Sequence, residues 1–206
     1  LRNGSPWLHL GGAALTHPGG RAATRELLSA ASDAGRSVSF DLNHREDLVP
    51  DGAAEAVSTA VRNALAESDV LLCSDEDAAA AGLSTSEGEA LARDVLSFGP
   101  HTAVVTLGSE GALAVSTEAA PWGAATVRHG GFPIDAVDAT GAGDAFAAGL
   151  LSRLAGGDGD RISDEQALRE AVAFGNATAA LSVGSVGGMG SIPSRDEVKA
   201  FLANRE

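Results

Sequence analysis

"VDATGAGDAFAAGLL", residues 137–151, is a turn of small residues that leads into an apolar stretch. In its second half, apolar residues recur at spacings of three and four, which predicts a helix. In its first half, Gly141 and Gly143 allow backbone angles and close approaches that side chains prevent. Free N–H groups at a helix start attract anions. A carboxylate beside such a site, here Asp144, suits an enzyme that removes a proton there.

The same stretch has a simpler interpretation. Aspartate is a common helix cap, and glycine-rich turns before helices are frequent in α/β proteins. Under this alternative Asp144 only caps its helix and has no chemical task. The stretch alone leaves both interpretations open.

Length, charge and composition limit the class of protein. With 206 residues, 44% of them hydrophobic, the chain can bury a core, and we expect one α/β domain over residues 1–206. A formal net charge of −14 argues against nucleic acid and anionic membranes as partners. The single cysteine, Cys73, excludes a disulfide framework and suits a cytoplasmic protein. The only lysine, Lys199, lies outside any Gly-Lys-Ser/Thr pattern, which excludes a Walker A loop.

Strand-like and helix-like segments alternate along the chain, which indicates a mostly parallel sheet with helices on both faces. We predict strands over residues 7–12, 37–43, 69–74, 102–108 and 112–117, and two more short strands within 124–137. We predict helices over residues 19–35, 51–68, 75–82, 86–99, 144–155, 163–182 and 194–205.

Polar residues and glycines gather after four of these segments. Ligands of parallel sheets bind at the carboxyl ends of the strands, so this placement favours a functional site. The residues are Asp41, Asn43 and Arg45, then Ser74, Asp75, Glu76 and Asp77, then Thr106 and Gly108, and finally the turn before Asp144.

Three stretches together resemble the ribokinase-like (PfkB) family of carbohydrate kinases. Residues 138–144 carry the family signature Asp-x-Thr-Gly-Ala-Gly-Asp unbroken. Residues 104–114, VVTLGSEGALA, are similar to its nucleotide loop, and residues 176–202 are similar to its C-terminal stretch. Within the family, VSFDLNHREDLV at 38–49 looks most like the 2-keto-3-deoxygluconate kinases and their fructokinase neighbours.

The resemblance implies a three-layer α/β sandwich and ATP-dependent phosphorylation of a sugar or sugar acid hydroxyl. It implies that Asp144 takes the hydroxyl proton, while the N–H groups of Gly141, Ala142 and Gly143 stabilise charge on the transferred phosphate. The other implied roles are nucleotide binding by Thr106, Gly108, Gly111 and Asn176; substrate binding by Asp41, Asn43 and Arg45; magnesium binding by Asp77; and binding of a monovalent cation, K⁺ in some members, by Asp138 with the loop 184–191.

Several of these roles have structural alternatives. Arg45 could be a surface arginine paired with Glu46 or Asp47. Asp77 could be an ordinary acid in the first turn of a helix, and Asn176 a solvent-facing amide in the middle of one. Cys73, at a strand end, is interpreted as a small buried residue and not as a nucleophile.

The sequence departs from the family pattern in two places. Ser74 stands where the family usually has asparagine, and Asp77 where it has glutamate. The N-terminal part, with the lid strands and a Gly-Gly-Asn segment, is absent from this sequence, so we expect a fragment of a kinase whose full length forms a homodimer through the lid. The alternative is a nucleotide-binding module without kinase activity. A Ser-His-Asp hydrolase is disfavoured because the sequence has no Gly-x-Ser-x-Gly elbow.

Overall fold

The computed structural model of the chain describes residues 6–156, 164–187 and 190–205. The strands are β1 (Trp7–Gly11), β2 (Ser37–Asp41), β3 (Val70–Ser74), β4 (Thr102–Thr106), β5 (Ala112–Ser116) and β6 (Ala125–His129). The helices are α1 (Pro18–Asp33), α2 (Ala54–Ala66), α3 (Asp75–Ala80), α4 (Gly88–Leu96), α5 (Ala142–Leu154), α6 (Glu165–Ser182) and α7 (Arg195–Ala203). Short 3-10 helices lie at Gly12–Thr16, Glu46–Leu48 and Gly108–Glu110.

The six strands follow chain order in one sheet, β1-β2-β3-β4-β5-β6. β1 and β2 pair in parallel from Trp7↔Ser37 to Gly11↔Asp41, and β2 and β3 pair in parallel from Ser39↔Val70. The carboxyl ends of these three strands therefore lie at one edge. The prediction of an α/β fold with a mostly parallel sheet is confirmed.

The prediction of two strands within residues 124–137 is wrong, because β6 is the only strand in that described segment. Gly130 and Gly131 follow it, and a Cβ on Gly131 would lie 2.8 Å from the carbonyl carbon of Ser109. The chain therefore turns here to pack against the β4–β5 connection. Pro133, which lacks a backbone N–H, also cannot donate a ladder hydrogen bond.

By its internal contacts the chain divides into two compact units, Leu1–Val105 with Val115–Ala120, and Thr106–Ala114 with Pro121–Glu206. In the first unit, β3 is buried along almost its whole length, from Val70 to Cys73. A strand buried on both faces needs an unbroken apolar run, and VLLC provides one. Against this strand lies β2, with Phe40 fully buried.

In the second unit, α5 and α6 pack closely because glycines line their contact. A Cβ on Gly149 of α5 would lie 2.9 Å from the Cβ of Thr178 on α6. A Cβ on Gly175 of α6 would lie 2.9 Å from the ring of Phe146 on α5. This pair of helices fixes the position of the turn that begins α5. No helix in the described ranges is long and apolar enough to cross a membrane.

Candidate functional site

The turn before α5 is built around Gly141. This residue has φ 78°, in the left-handed region, and is the N-cap of α5. Asp144 is the third residue of the helix, and its side chain is exposed. The alternative in which Asp144 caps the helix is therefore wrong, because the capping position belongs to a glycine that a left-handed turn requires.

Three N–H groups at this helix start have no acceptor within the described part of the chain: those of Gly141, Gly143 and Asp144. The N–H of Ala142 instead donates to the carbonyl of Ala139 at 3.1 Å, inside the turn. Ala142 was one of the three predicted donors. The structure leaves the N–H of Asp144 available where that of Ala142 is occupied.

Gly143 has no structural reason to be glycine. Its φ is not left-handed, and a Cβ placed on it would meet no atom of the described chain within 4 Å. The missing side chain leaves open space at the first turn of α5, at a residue whose own N–H is one of the three without an acceptor in the described chain. A phosphate fits this arrangement, since main-chain donors at a helix start and the helix dipole both favour an anion.

Asp138 holds the turn in shape. Its Oδ1 accepts a hydrogen bond from the N–H of Thr140 at 2.9 Å, and its Oδ2 accepts one from the N–H of Gly187 at 3.1 Å. Hydrogen bonds from the Thr140 side chain, the Thr140 N–H and the Gly187 N–H keep the pKa of Asp138 below its ordinary value. The predicted cation loop, 184–191, includes residues 188–189, which lie outside the described residues, so that role stays a prediction.

Thr106 ends β4, and the connection to β5 carries Gly108 and Gly111. The N–H of Leu107 donates to the carbonyl of Gly111 at 2.8 Å and closes the turn. Gly108 has φ 57° and faces open space, whereas a Cβ on Gly111 would lie 2.6 Å from the carbonyl carbon of Gly130. Packing within the chain thus explains Gly111, and a nucleotide contact by these residues stays a prediction.

Asn176 is only 7% exposed, so the alternative of a solvent-facing amide is wrong. Its side-chain nitrogen donates to the Nδ1 and to the carbonyl oxygen of His129, both at 3.0 Å. Because an amide nitrogen only donates, Nδ1 of His129 accepts and its proton lies on Nε2. Asn176 therefore fixes the end of β6, and its predicted contact with adenine stays untested.

In the first unit, Asp41 ends β2, and the segment after it carries Asn43 and Arg45. Asn43 has φ 30° and is the only non-glycine residue with a positive φ in the described ranges. Arg45 is exposed, and its side chain forms no hydrogen bond or ion pair with the described residues. The alternative that pairs Arg45 with Glu46 or Asp47 is therefore wrong. Strained backbone beside an unpaired guanidinium favours a binding role for this segment.

Asp77 connects the segment after β2 to the segment after β3. Its Oδ1 accepts a hydrogen bond from the N–H of His44 at 3.1 Å, next to Asn43 and Arg45. Its own N–H donates to Oγ of Ser74 at 3.0 Å, and Ser74 is the N-cap of α3. This cap gives Ser74 a structural task, which the Ser-x-x-Asp spacing could have predicted.

Carboxylates concentrate around this edge of β2 and β3. Burial and then the charges of Asp77, Asp41 and Asp75 raise the pKa of the Cys73 thiol to about 12. Cys73 is therefore a buried, protonated thiol, and its interpretation as a small core residue is confirmed. Within the described ranges no three His, Cys, Asp or Glu residues cluster closely enough to hold a metal by themselves. A magnesium ion held at Asp77 would keep most of its coordination for water and phosphate, as this ion prefers.

Comparison with known proteins agrees with this arrangement. A family model described as pfkB family carbohydrate kinase matches residues 7–195. The chain belongs to the PfkB family of carbohydrate kinases. This PfkB chain is 35% identical over 191 residues to a 2-dehydro-3-deoxygalactonokinase of Haloferax volcanii, covering 88% of the chain and 52% of that protein. It is 31% identical over 195 residues to a fructokinase of Escherichia coli, covering 94% and 60%.

Solved structures of sugar kinases share the fold. Fructokinase from Vibrio cholerae O395, solved with fructose, ADP and calcium ion, superposes with a TM-score of 0.82 at 29% identity, covering 95% of this chain and 60% of that one. Aminoimidazole riboside kinase from Salmonella enterica, solved with aminoimidazole riboside and an ATP analog, gives 0.81 at 27% identity, covering 96% and 62%. This PfkB chain therefore spans between about half and three fifths of the length of these four relatives. The predicted ribokinase-like family and fold are confirmed.

Proposed function

We propose that this PfkB chain supplies the phosphate-binding and proton-removing parts of an ATP-dependent kinase that phosphorylates a hydroxyl of a sugar or sugar acid. The observation that carries the proposal is the start of α5, where three N–H groups have no acceptor in the described chain and Gly143 faces open space. Crystal structures of two similar kinases hold a nucleotide or its analog together with a sugar or riboside, which supports it.

Asp144 removes the proton of the attacking hydroxyl. Its carboxylate is exposed and accepts no hydrogen bond within the described part of the chain, so it is available to a substrate. The N–H groups of Gly141, Gly143 and Asp144 stabilise the negative charge on the transferred phosphoryl group. Phosphoryl transfer requires little more of a protein than this positioning and charge stabilisation.

Asp77 is the residue that would hold magnesium, because its carboxylate offers the oxygen ligands that this ion prefers, and Asp41 would bind the substrate with Asn43 and Arg45. Bound magnesium would neutralise part of the phosphate charge. The concentration of carboxylates that raises the pKa of Cys73 supports a cation at this edge. A monovalent cation at Asp138 remains part of the proposal, although both oxygens of that carboxylate already accept hydrogen bonds.

Arg45 favours a sugar acid over a neutral sugar as the substrate. A guanidinium without an intramolecular partner matches the geometry of a substrate carboxylate. Similarity to a 2-dehydro-3-deoxygalactonokinase supports this choice, and similarity to fructokinases supports the neutral sugar. Cytoplasmic location, and a homodimer of the full-length protein, stay predictions.

A nucleotide-binding module without kinase activity is the second candidate. Ser74 favours it, because the hydroxyl that replaces the family's amide is occupied by its own helix start. Asp144, exposed and unpaired, favours the kinase.

The deciding experiment fills the space over the α5 start. Gly143→Leu places a side chain where no chain atom stands, so we expect it to fold and to abolish MgATP binding in a calorimetric titration. Gly19→Leu is the matched control, since Gly19 also occupies the second position of a helix and also faces open space. Unchanged MgATP affinity in Gly143→Leu, or no binding by the folded wild type at millimolar nucleotide, would overturn the proposal.

A further inference from the structure

A cavity lies within the second unit between α5, α6 and α7, separate from the turn that begins α5. It has a volume of about 380 Å³, and Arg153, Lys199 and Arg205 all line it. The one carboxylate in its lining is Glu170, so the ionic groups of the described lining sum to a formal charge of +2. The whole chain carries −14 and only 14 basic residues. Three of them, including its only lysine, thus converge on one cavity of a protein whose net charge is strongly negative.

Aromatic rings hold two of these cations in place. The guanidinium carbon of Arg205 lies 3.8 Å from the ring centre of Phe201, which packs edge-on against Phe132 at 5.0 Å. The guanidinium of Arg153 lies 5.8 Å from the ring centre of Phe174. Arg153 also lies 3.9 Å from the one carboxylate of the lining. These contacts orient the side chains in advance, which lowers the entropy lost on binding an anion.

The apolar lining complements these charges. Phe132 and His129, with ring centres 5.3 Å apart and ring planes inclined at 46°, form an aromatic wall of two faces, and Leu202 adds an aliphatic surface. The imidazole of His129 is anchored through Nδ1 by Asn176, so this wall does not depend on a mobile side chain. A ligand with a flat apolar body would bury that body here.

The cavity is remote from the phosphate turn along α5. The turn begins this helix at Ala142, and Arg153 lies eleven residues later in its last turn. At the rise of an α-helix this separates them by about 16 Å. A phosphate held at the α5 start therefore does not also contact Arg153.

We propose that this cavity binds a small phosphate monoester whose phosphate is attached to a planar, apolar group. The dianionic phosphate matches the formal +2 of the lining and the preference of arginine and lysine for phosphate oxygens. The planar group packs on the aromatic wall of Phe132 and His129. The volume is within the usual range for small-molecule sites, roughly 300–1,000 Å³. The inference is independent of the proposed kinase reaction.

Phenyl phosphate is the probe, titrated into the full chain by calorimetry. We expect it to bind more tightly than inorganic phosphate and than benzyl alcohol, with an affinity that falls as salt rises. Lys199→Met, in α7, and Arg205→Met, two residues beyond it, each remove one charge-assisted contact made by an exposed side chain, and we expect each to weaken binding roughly 10-fold. Arg93→Met is the control, because Arg93 is exposed on α4 and pairs with Glu89. Melting temperatures verify that every variant is folded.

Gly143→Leu separates this cavity from the phosphate turn, and we expect it to leave the affinity for phenyl phosphate unchanged. The proposal fails if the folded wild type does not bind phenyl phosphate at millimolar concentration. It also fails if Lys199→Met and Arg205→Met both leave binding unaltered, or if Gly143→Leu abolishes it. Loss of MgATP binding alone in Gly143→Leu bears only on the proposed kinase function.

Discussion

Asp144 is the residue on which the proposed chemistry depends, and its position in α5 makes its task separable from helix stability. The helix is capped by Gly141, and Asp144 contributes to its first turn only a favourable charge near the positive end of the dipole. Removing that charge is expected to cost about 0.3–1 kcal/mol of stability. Removing a positioned base costs about 10²–10⁴-fold in rate.

We therefore expect Asp144→Asn to leave MgATP affinity nearly intact and to lower turnover of an active preparation by about 10²–10⁴-fold. Melting temperature, calorimetric affinity and steady-state turnover on this one variant test the three parts together. Asp135→Asn is the control, because Asp135 is an exposed acid in the same unit with no hydrogen bond to the described residues. Turnover within a few-fold of wild type would show that Asp144 does not act as the base.

At the scale of elements, the contact between α5 and α6 determines where the turn and its N–H groups stand. The side chain of Thr178 cannot easily rotate away from the contact with α5. Its rotamer is fixed within α6 by a hydrogen bond from its hydroxyl to the carbonyl of Phe174 at 2.7 Å. A Cβ on Gly149 would lie 2.9 Å from the Cβ of Thr178 and 3.0 Å from the Cα of Gly175. The helices must then separate or shift.

We expect Gly149→Ala to destabilise the protein by about 1–3 kcal/mol, the usual cost of overpacking a close contact. Gly19→Ala in α1, where a Cβ meets nothing, is expected instead to add roughly 0.5–1 kcal/mol through helix propensity. Chemical denaturation of both variants measures the difference. In a Thr178→Ala background the cost of Gly149→Ala should shrink, and an undiminished cost would show that the crowding lies elsewhere.

At the scale of the whole molecule, the spacing of apolar residues predicted the helices and strands whose formation depends on local sequence. All seven helices and the first five strands follow from apolar spacing and from glycine turns, and their ends differ by a few residues. The second strand predicted within residues 124–137 is absent from that described segment, because residue 131 packs against residue 109 of the β4–β5 connection. The spacing of residues in the sequence carries no information about a close contact between two separate segments of this kind.

The same limit applies to the candidate site. The glycines and Asp144 could be found from their order in the chain. The hydrogen bond from Gly187 to Asp138 spans 49 residues, and that from Asn176 to His129 spans 47. Both fix the shape of the site through contacts between distant segments, which no local pattern predicts. The hydrogen bond from the N–H of Ala142 to the carbonyl of Ala139 likewise depends on the geometry of the turn and not on residue type.

Cys73 offers a test of whether the two compact units unfold as the single domain that the sequence predicts. The thiol is 3% exposed, and its pKa is raised to about 12 by burial and by the neighbouring carboxylates, so a thiol reagent reaches a reactive thiolate only after the first unit opens. The residues proposed to hold phosphate belong to the second unit. If the units unfold together, MgATP at 100 times its Kd stabilises the whole chain by about 2.7 kcal/mol and slows labelling of Cys73 roughly 100-fold.

The measurement is the labelling rate at mildly alkaline pH with and without MgATP, with magnesium alone as the control for a direct effect at Asp77. Gly143→Leu should lose the protection, whereas Gly19→Leu should keep it, because only the former fills the space over the α5 start. An unaltered labelling rate in a sample whose calorimetry shows MgATP bound would contradict the single-domain prediction. It would mean that the first unit opens without the second, since ligand binding stabilises only what unfolds with its site.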